Sequence, residues 1–261
     1  MAVVASDANT FRLAGKTVLI TGGRRVGAEL AETLASRGAK IGMTYHTSRD
    51  AIERTVDQIK AAGGEAFAVA ADLSDAGEAE RAVGEVAEHF GGLFAVVNMA
   101  SVYRRTPFAE LTPADFDEMI AMNLAAPYHV AMAAARVMLT QAGEDGIKGK
   151  IVNIGDWATE RPYKGYLPYL VAKGGLTTMT LALAKELAPD ITVTMVQPAM
   201  IAPPPDFSEA DRAAVLELTP LARFGCPDDV NRLILYLLEG TNFVTGVSYR
   251  VDGGRFLGVD E

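Results

Sequence analysis

Short runs rich in Val and Ile recur along the chain: KTVLIT, KIGMTY, EAFAVA, FAVVNMA, GKIVNIG, ITVTMV and VSYRV. Between them lie longer stretches of helical periodicity, near residues 26–37, 49–62, 76–90, 113–141, 166–187 and 227–239. This alternation is the strongest constraint on the fold. Parallel strands cannot be joined by a tight hairpin, so a helix must carry the chain back across the sheet each time. The expected architecture is therefore α/β: a single-domain, Rossmann-type, doubly wound parallel sheet of about seven strands with helices on both faces. Ligands in such folds bind beyond the carboxyl ends of the strands. The length, 261 residues, suits one domain with one core. Residues 14–261 are assigned to that domain, residues 1–13 to a flexible tail, and IAPPPD at 201–206 to a loop.

Charge and cysteine content narrow the function classes. A net charge of -9 repels phosphodiester backbones, so nucleic acid is not an expected partner; a small-molecule substrate is. The single cysteine, Cys226, cannot close an internal disulfide, which points to a reducing, cytoplasmic location. The most apolar stretch, AMAAARVML, is broken by Arg136, so no membrane span is expected. His46, His89 and His129 lie far apart with no metal-ligand spacing, and no metal site is expected.

The first strand runs into ITGGRRVGAEL, with Gly22, Gly23 and Gly27 in the turn before a helix. Glycines there allow close backbone approach, and the free N–H groups at the helix start attract a pyrophosphate. A site built for NAD usually places an acidic residue at the end of the second strand to hold the ribose 2'-hydroxyl. Here that stretch reads Tyr45, His46, Thr47, Ser48, Arg49, with Arg24 and Arg25 in the first turn. Such donors suit the 2'-phosphate of NADP(H). Arg49 either joins them or is simply solvated, and Asp50 could act as the acid if the strand ran further. Asp72, after the third strand, either reaches an adenine edge or caps the next helix through Ser74.

Tyr169 and Lys173, four residues apart in YLVAK, share one face of a helix. A phenol with an ordinary pKa near ~10 is a reluctant acid or base at neutral pH, and a nearby ammonium lowers it. Together with the glycine turn, AADL, VNMAS, MNL and VTGVSYRVDGG, the pentad makes the chain resemble the short-chain dehydrogenases/reductases over nearly its whole length. The resemblance implies that Tyr169 and Lys173 are catalytic and that Lys173 also holds the nicotinamide ribose. It implies that Asn123 of MNL either joins a proton relay or marks a helix kink. It also implies a homotetramer built on the long helices. The cofactor is expected to run along Gly22, Arg24, Arg25 and Val26, then Tyr45, His46, Thr47 and Ser48, then Asp72 and Leu73. Asn98, Ala100, Ser101, Tyr169, Lys173, Pro198 and Met200 complete its expected contacts.

Where that family carries a Ser that steadies a substrate carbonyl, this chain carries Asp156. An ionised carboxylate would repel a developing oxyanion and raise the phenol's pKa, but it suits a substrate that presents N–H groups. With Arg24–Arg25, the Tyr45–His46–Ser48 group and Ala100–Ser101–Tyr103, Asp156 makes the chain similar to one branch, the pteridine reductases, including the bacterial dihydromonapterin reductases. That similarity implies reduction of a dihydropterin to a tetrahydropterin with NADPH, through Asp156, Tyr169 and Lys173. Ser101, Tyr103, Asp156 and Tyr169 would contact the substrate, with Tyr103 either stacked on the pterin or merely an exposed loop aromatic. The alternatives are a general short-chain carbonyl or 3-oxoacyl-type NADP(H) oxidoreductase, or a catalytically silent NADP(H)-binding protein. Three departures accompany the resemblance: TGGRRVG is one residue short, Met99 replaces an Asn, and Pro198–Ala199 replaces a Pro–Gly. Trp157 is given no role: it either walls the pocket or packs on the sheet.

Overall fold

A computed structural model describes residues 13–201 and 207–258. The strands are β1 (Thr17–Thr21), β2 (Lys40–Tyr45), β3 (Glu65–Ala70), β4 (Ala95–Asn98), β5 (Gly149–Ile154), β6 (Ile191–Pro198) and β7 (Ser248–Val251). All pair in parallel, in the order β3-β2-β1-β4-β5-β6-β7. The helices are α1 (Val26–Ser36), α2 (Arg49–Ala61), α3 (Ala76–Phe90), α4 (Pro113–Ile120), α5 (Ala126–Leu139), α6 (Leu167–Glu186), α7 (Glu209–Glu217) and α8 (Pro227–Leu235).

Alternate strand residues feed two separate cores, as a period of two requires. Val18 and Ile20 of β1 pack with Leu30 and Leu34 of α1, Ile52 of α2 and Ile234 of α8. Leu19, between them, packs on the opposite face with Val83 of α3, Val130 of α5 and Leu183 of α6. The five inner strands, β2, β1, β4, β5 and β6, are buried on both sides, which explains why their runs read as nearly unbroken hydrophobic stretches. Chain order reverses between β1 and β4, and the crevice at their carboxyl ends is where this topology holds ligands. Among the described residues no helix is long and apolar enough to cross a membrane.

The structure departs from the expected elements in four places. Leu13, assigned to the tail, is fully buried in the α1 core; residues 1–12 and most of the 201–206 loop lie outside the described residues. The expected 113–141 helix is broken into α4 and α5 by a π-turn, Ala121–Ala125. Pro127 has no N–H to give the carbonyl of Asn123, so the helical ladder widens there. The last helix likewise ends α-helical geometry at Leu235 and closes in a π-turn, Tyr236–Gly240. Finally, α7 was not expected at all. It buries no residue, so it shows little periodicity, and its only sequence signal is the capping box of Ser208 with Asp211.

Candidate active site

The crevice is bounded on one side by the glycine turn. Gly22 and Gly23 hold left-handed φ values of 61° and 86°. A Cβ on Gly22 would lie 3.1 Å from Ala100 Cα, and one on Gly23 would lie 2.8 Å from Gly27 Cα. The shortened turn therefore closes backbone against backbone. Met99 fills what remains: its Sδ lies 3.1 Å from the positions a Cβ would take on Gly23 and on Gly27. Two of the departures from the family pattern, the short turn and Met99, are thus packed against each other. Thr21 ties the same corner together, its hydroxyl accepting from the N–H groups of Met99 and Ala100 at 3.0 and 3.1 Å.

A dinucleotide fits what these residues offer. Helix α1 begins at Val26 with no side-chain cap from Arg25, so no side chain competes for its first N–H groups. Arg24 and Arg25 are exposed beside the turn; Tyr45 ends β2, and His46, Thr47 and Ser48 follow it without a carboxylate. Arg49 turns away, pairing with Glu53 at 2.8 Å, and Asp50 sits exposed in the first turn of α2. Asp72 accepts both the N–H and the hydroxyl of Ser74, and these donors hold its carboxyl below the usual carboxylate range. The cap of α3 is not Ser74 but Asp75, which accepts the Glu78 N–H. Leu73 is buried, while Pro198 and Met200 lie half-buried at and just past the end of β6. Asn98 differs from expectation: its side chain turns inward, donating to Asn153 at 2.9 Å, and Asn153 donates in turn to Thr180.

Facing this turn across the crevice stand Asp156 and Tyr169. Asp156 leaves the end of β5 and caps a short turn, its Oδ1 accepting the Ala158 N–H at 2.8 Å. Its Oδ2 accepts the Tyr169 hydroxyl at 3.0 Å. Tyr169 and Lys173 occupy the buried face of α6, 5% and 3% exposed. Lys173 Nζ donates to the Ile154 carbonyl at 2.8 Å and lies 5.8 Å from the Tyr169 ring centroid.

Burial sets the titration of all three groups. It raises the Asp156 carboxyl, against the pull of the Ala158 and Tyr169 hydrogen bonds. It also lifts the Tyr169 hydroxyl well above the usual phenol range, and the neighbouring Asp156 carboxylate adds to the rise. The same burial depresses the Lys173 ammonium to about 8, with Asp156 opposing. The expected lowering of Tyr169 by Lys173 is therefore reversed, because desolvation and the adjacent carboxylate outweigh the ammonium. The phenol carries its proton and offers it to Asp156.

Asn123 bonds to the loop after β4. From the π-turn, its Oδ1 accepts the Ser101 hydroxyl at 2.6 Å and the Val102 N–H at 3.2 Å, while Nδ2 donates to the Val102 and Met119 carbonyls. Asn123 lies in the π-turn, as its kink reading expects, and it anchors the loop that carries Ser101 and Tyr103.

Tyr103 is half-exposed, stacked on Tyr166 at 4.6 Å and edge-on to Tyr169 at 5.0 Å. Tyr163 hydrogen-bonds the Tyr103 hydroxyl at 3.3 Å, and Trp157 lies tilted against Tyr163 at 6.4 Å. Tyr163 and Tyr166 were missed by sequence reasoning, although both fall in the RPYKGYLPY stretch beside Tyr169. Spacing alone gave no reason to place them there; the turn at Gly165, with φ 84°, brings both rings round to the site.

A fully parallel doubly wound sheet, with a glycine turn and a Tyr–Lys pair meeting at its switch point, defines a Rossmann-type oxidoreductase. A family model described as enoyl-(acyl carrier protein) reductase matches residues 22–255. The chain is 33% identical over 250 residues to a 3-oxoacyl-(acyl-carrier-protein) reductase of Synechocystis sp., covering 94% of this chain and 98% of the relative. It is 30% identical over 276 residues to versicolorin reductase stcU of Emericella nidulans, covering 96% and 99%. The structure of a short chain dehydrogenase from Burkholderia cenocepacia J2315 in complex with NADP matches with a TM-score of 0.85 and 35% identity, covering 94% of this chain and 99% of that one. This chain belongs to the short-chain dehydrogenase/reductase family.

Proposed function

We propose that the protein is an NADP(H)-dependent reductase of a small carbonyl compound, the more general of the readings its sequence allows. The observation that carries the reading is the buried Tyr169–Lys173 pair on one face of α6. Relatives named for 3-oxoacyl and versicolorin reduction, and a neighbour bound to NADP, support it over the pterin reading. NADP(H), when bound, supplies or takes a hydride. The chain's own groups do the rest. Gly22, Arg24, Arg25 and Val26 hold the phosphates, Tyr45 to Ser48 the 2'-phosphate side, and Lys173 a ribose hydroxyl.

Proton delivery falls to Tyr169. Its hydroxyl gives up a proton as the substrate oxygen gains negative charge, leaving a phenolate that an ionised Asp156 disfavours. Asp156, its pKa raised by burial, answers this when it carries a proton itself and passes it to Tyr169. Turnover is thus expected to rise toward mildly acidic pH.

A second reading, reduction of a pteridine, rests on one observation: a carboxylate, rather than a hydroxyl, accepts from Tyr169. A carboxylate accepts N–H donors well, and Tyr103 and Tyr166 form an aromatic wall that suits a flat ring. For assembly we propose a homotetramer, supported by the exposed apolar residues Phe116, Tyr128, Val171 and Leu181 on α4, α5 and α6. The lone Cys226 supports a reducing compartment.

The test is optical: NADPH oxidation with 3-oxoacyl thioesters, simple ketones and dihydropterins as separate substrates, and NADH as control. Turnover of ketones, rising in Asp156→Ser, supports the carbonyl reading. Turnover of dihydropterins alone, lost in Asp156→Ser, replaces it with the pteridine reading. NADPH binding with no turnover on any substrate refutes both.

A further inference from the structure

A cavity of about 310 Å³ lies between the ends of β6 and β7 and helix α7. Three arginines line it, and two are spoken for. Arg223 pairs with Asp229 at 2.8 Å, and Arg250 with Glu160 at 2.7 Å. Arg255 has no carboxylate partner among the described residues. One of its five N–H donors, on Nη1, reaches the Val215 carbonyl at 3.1 Å. Its guanidinium lies 5.3 Å from the centre of the Trp157 ring. The backbone beneath it is fixed, because Asp252 accepts the N–H groups of Gly254 and Phe256 at 2.9 Å each. That use also turns the nearest carboxylate of the cavity back on its own chain. Burial lowers the Arg255 pKa, as expected of a cation partly stripped of water, and arginine stays charged regardless.

A half-buried guanidinium with donors unused among the described residues, on a rigid turn and facing a cavity, is placed to receive an anion. Arg255 is the link from that cavity toward the catalytic groups: it lines the cavity and lies by the Trp157 ring, and Trp157 follows Asp156 in the chain and lies against Tyr163. We propose that Arg255 is a specificity-determining residue, and that the cavity beside it takes a carboxylate at the far end of the substrate whose carbonyl is reduced at Tyr169. This rests on reading the site as that of a reductase. The substrate class is then an oxo acid rather than a neutral ketone.

The single tryptophan makes binding visible without turnover, since Trp157 is the only one in the chain. The experiment takes 4-oxopentanoate, 6-oxoheptanoate and the methyl ester of each. It follows both Trp157 emission and NADPH oxidation in the unaltered protein, Arg255→Met and Arg255→Lys. The expected result is a saturable emission change with at least one acid and not with its ester. The acid-to-ester ratio of kcat/KM should fall about tenfold in Arg255→Met, as for loss of one charge-assisted hydrogen bond, while ester turnover changes little. Arg255→Lys should recover part of the ratio. An acid preference unchanged in Arg255→Met, or none in the unaltered protein by either readout, overturns the proposal. A selective emission change with no turnover of any ketone upholds the anion site and refutes the reductase reading instead. Ketone turnover without charge preference does the reverse.

Discussion

Gly23 and Gly63 offer a matched pair for testing how the cofactor turn is held. Both have φ of 86°, so an alanine at either position meets the same left-handed strain. That strain costs about 1–2 kcal/mol, partly offset by about 0.4–1 kcal/mol from the stiffer unfolded chain. Gly63→Ala adds nothing else, because no atom lies within 4 Å of its new Cβ. Its net cost should be about 1 kcal/mol. At Gly23 the new Cβ would lie 2.8 Å from Gly27 Cα and 3.1 Å from Met99 Sδ. The sulfur can swing away; the Gly27 backbone is in helix α1 and cannot. Overpacking of this kind adds about 1–3 kcal/mol, so Gly23→Ala should cost about 2–4 kcal/mol in all. For a domain of this size the melting temperature falls roughly 2–4 °C per kcal/mol, which separates the two variants clearly. The assay is thermal and urea unfolding of both, with NADPH titrated by fluorescence. Gly23→Ala should also bind NADPH more weakly, and Gly63→Ala should not. Equal stability losses in the two variants would show that the Gly23–Gly27 contact is not what closes the turn.

Three further outcomes are expected. Tyr169→Phe should reduce kcat/KM by about 10²- to 10⁴-fold while leaving NADPH affinity within a factor of a few, measured by initial rates and fluorescence titration. Activity that depends on the Lys173 ammonium should fall as pH rises through about 8, where that group loses its proton. In Asp156→Asn the carboxylate that opposes this loss is gone, so the break in the pH–rate profile should move to lower pH; a break that stays put or rises refutes the assignment. Lys150, 1% exposed, donates to the Leu237 carbonyl at 2.8 Å and the Thr241 carbonyl at 2.6 Å, tying the final π-turn to β5. Lys150→Met should cost about 2–4 kcal/mol in urea unfolding, with activity of the folded fraction retained.

The parallel sheet was legible because burial on both faces leaves an unbroken apolar run, and β1 and β2 fall where those runs predict. Helix α7 was not legible, because a helix that buries nothing has no reason to be periodic. The site divides in the same way. Tyr169 and Lys173 share a face because they lie four apart on one helix, and Gly22 and Gly23 turn because they follow a strand; local geometry suffices for both. Asp156 was singled out from sequence as a neighbour of the Tyr169 phenol, but not that it would also cap the short turn after β5 through the Ala158 N–H.

Sequence by itself thus determined the alternation, the doubly wound class, the glycine turn and the Tyr–Lys pair, since each depends on residues close together along the chain. Tertiary structure alone decided that Asn98 turns inward to Asn153, that Asn123 anchors Ser101, and that Met99 fills the shortened turn. It also decided that Tyr163, Tyr166 and Arg255 gather about Trp157 and Tyr169, and that Tyr169 keeps its proton. Those outcomes depend on which distant segments meet and how much water they exclude. Desolvation is a property of the packed neighbourhood, and no spacing along the chain encodes it.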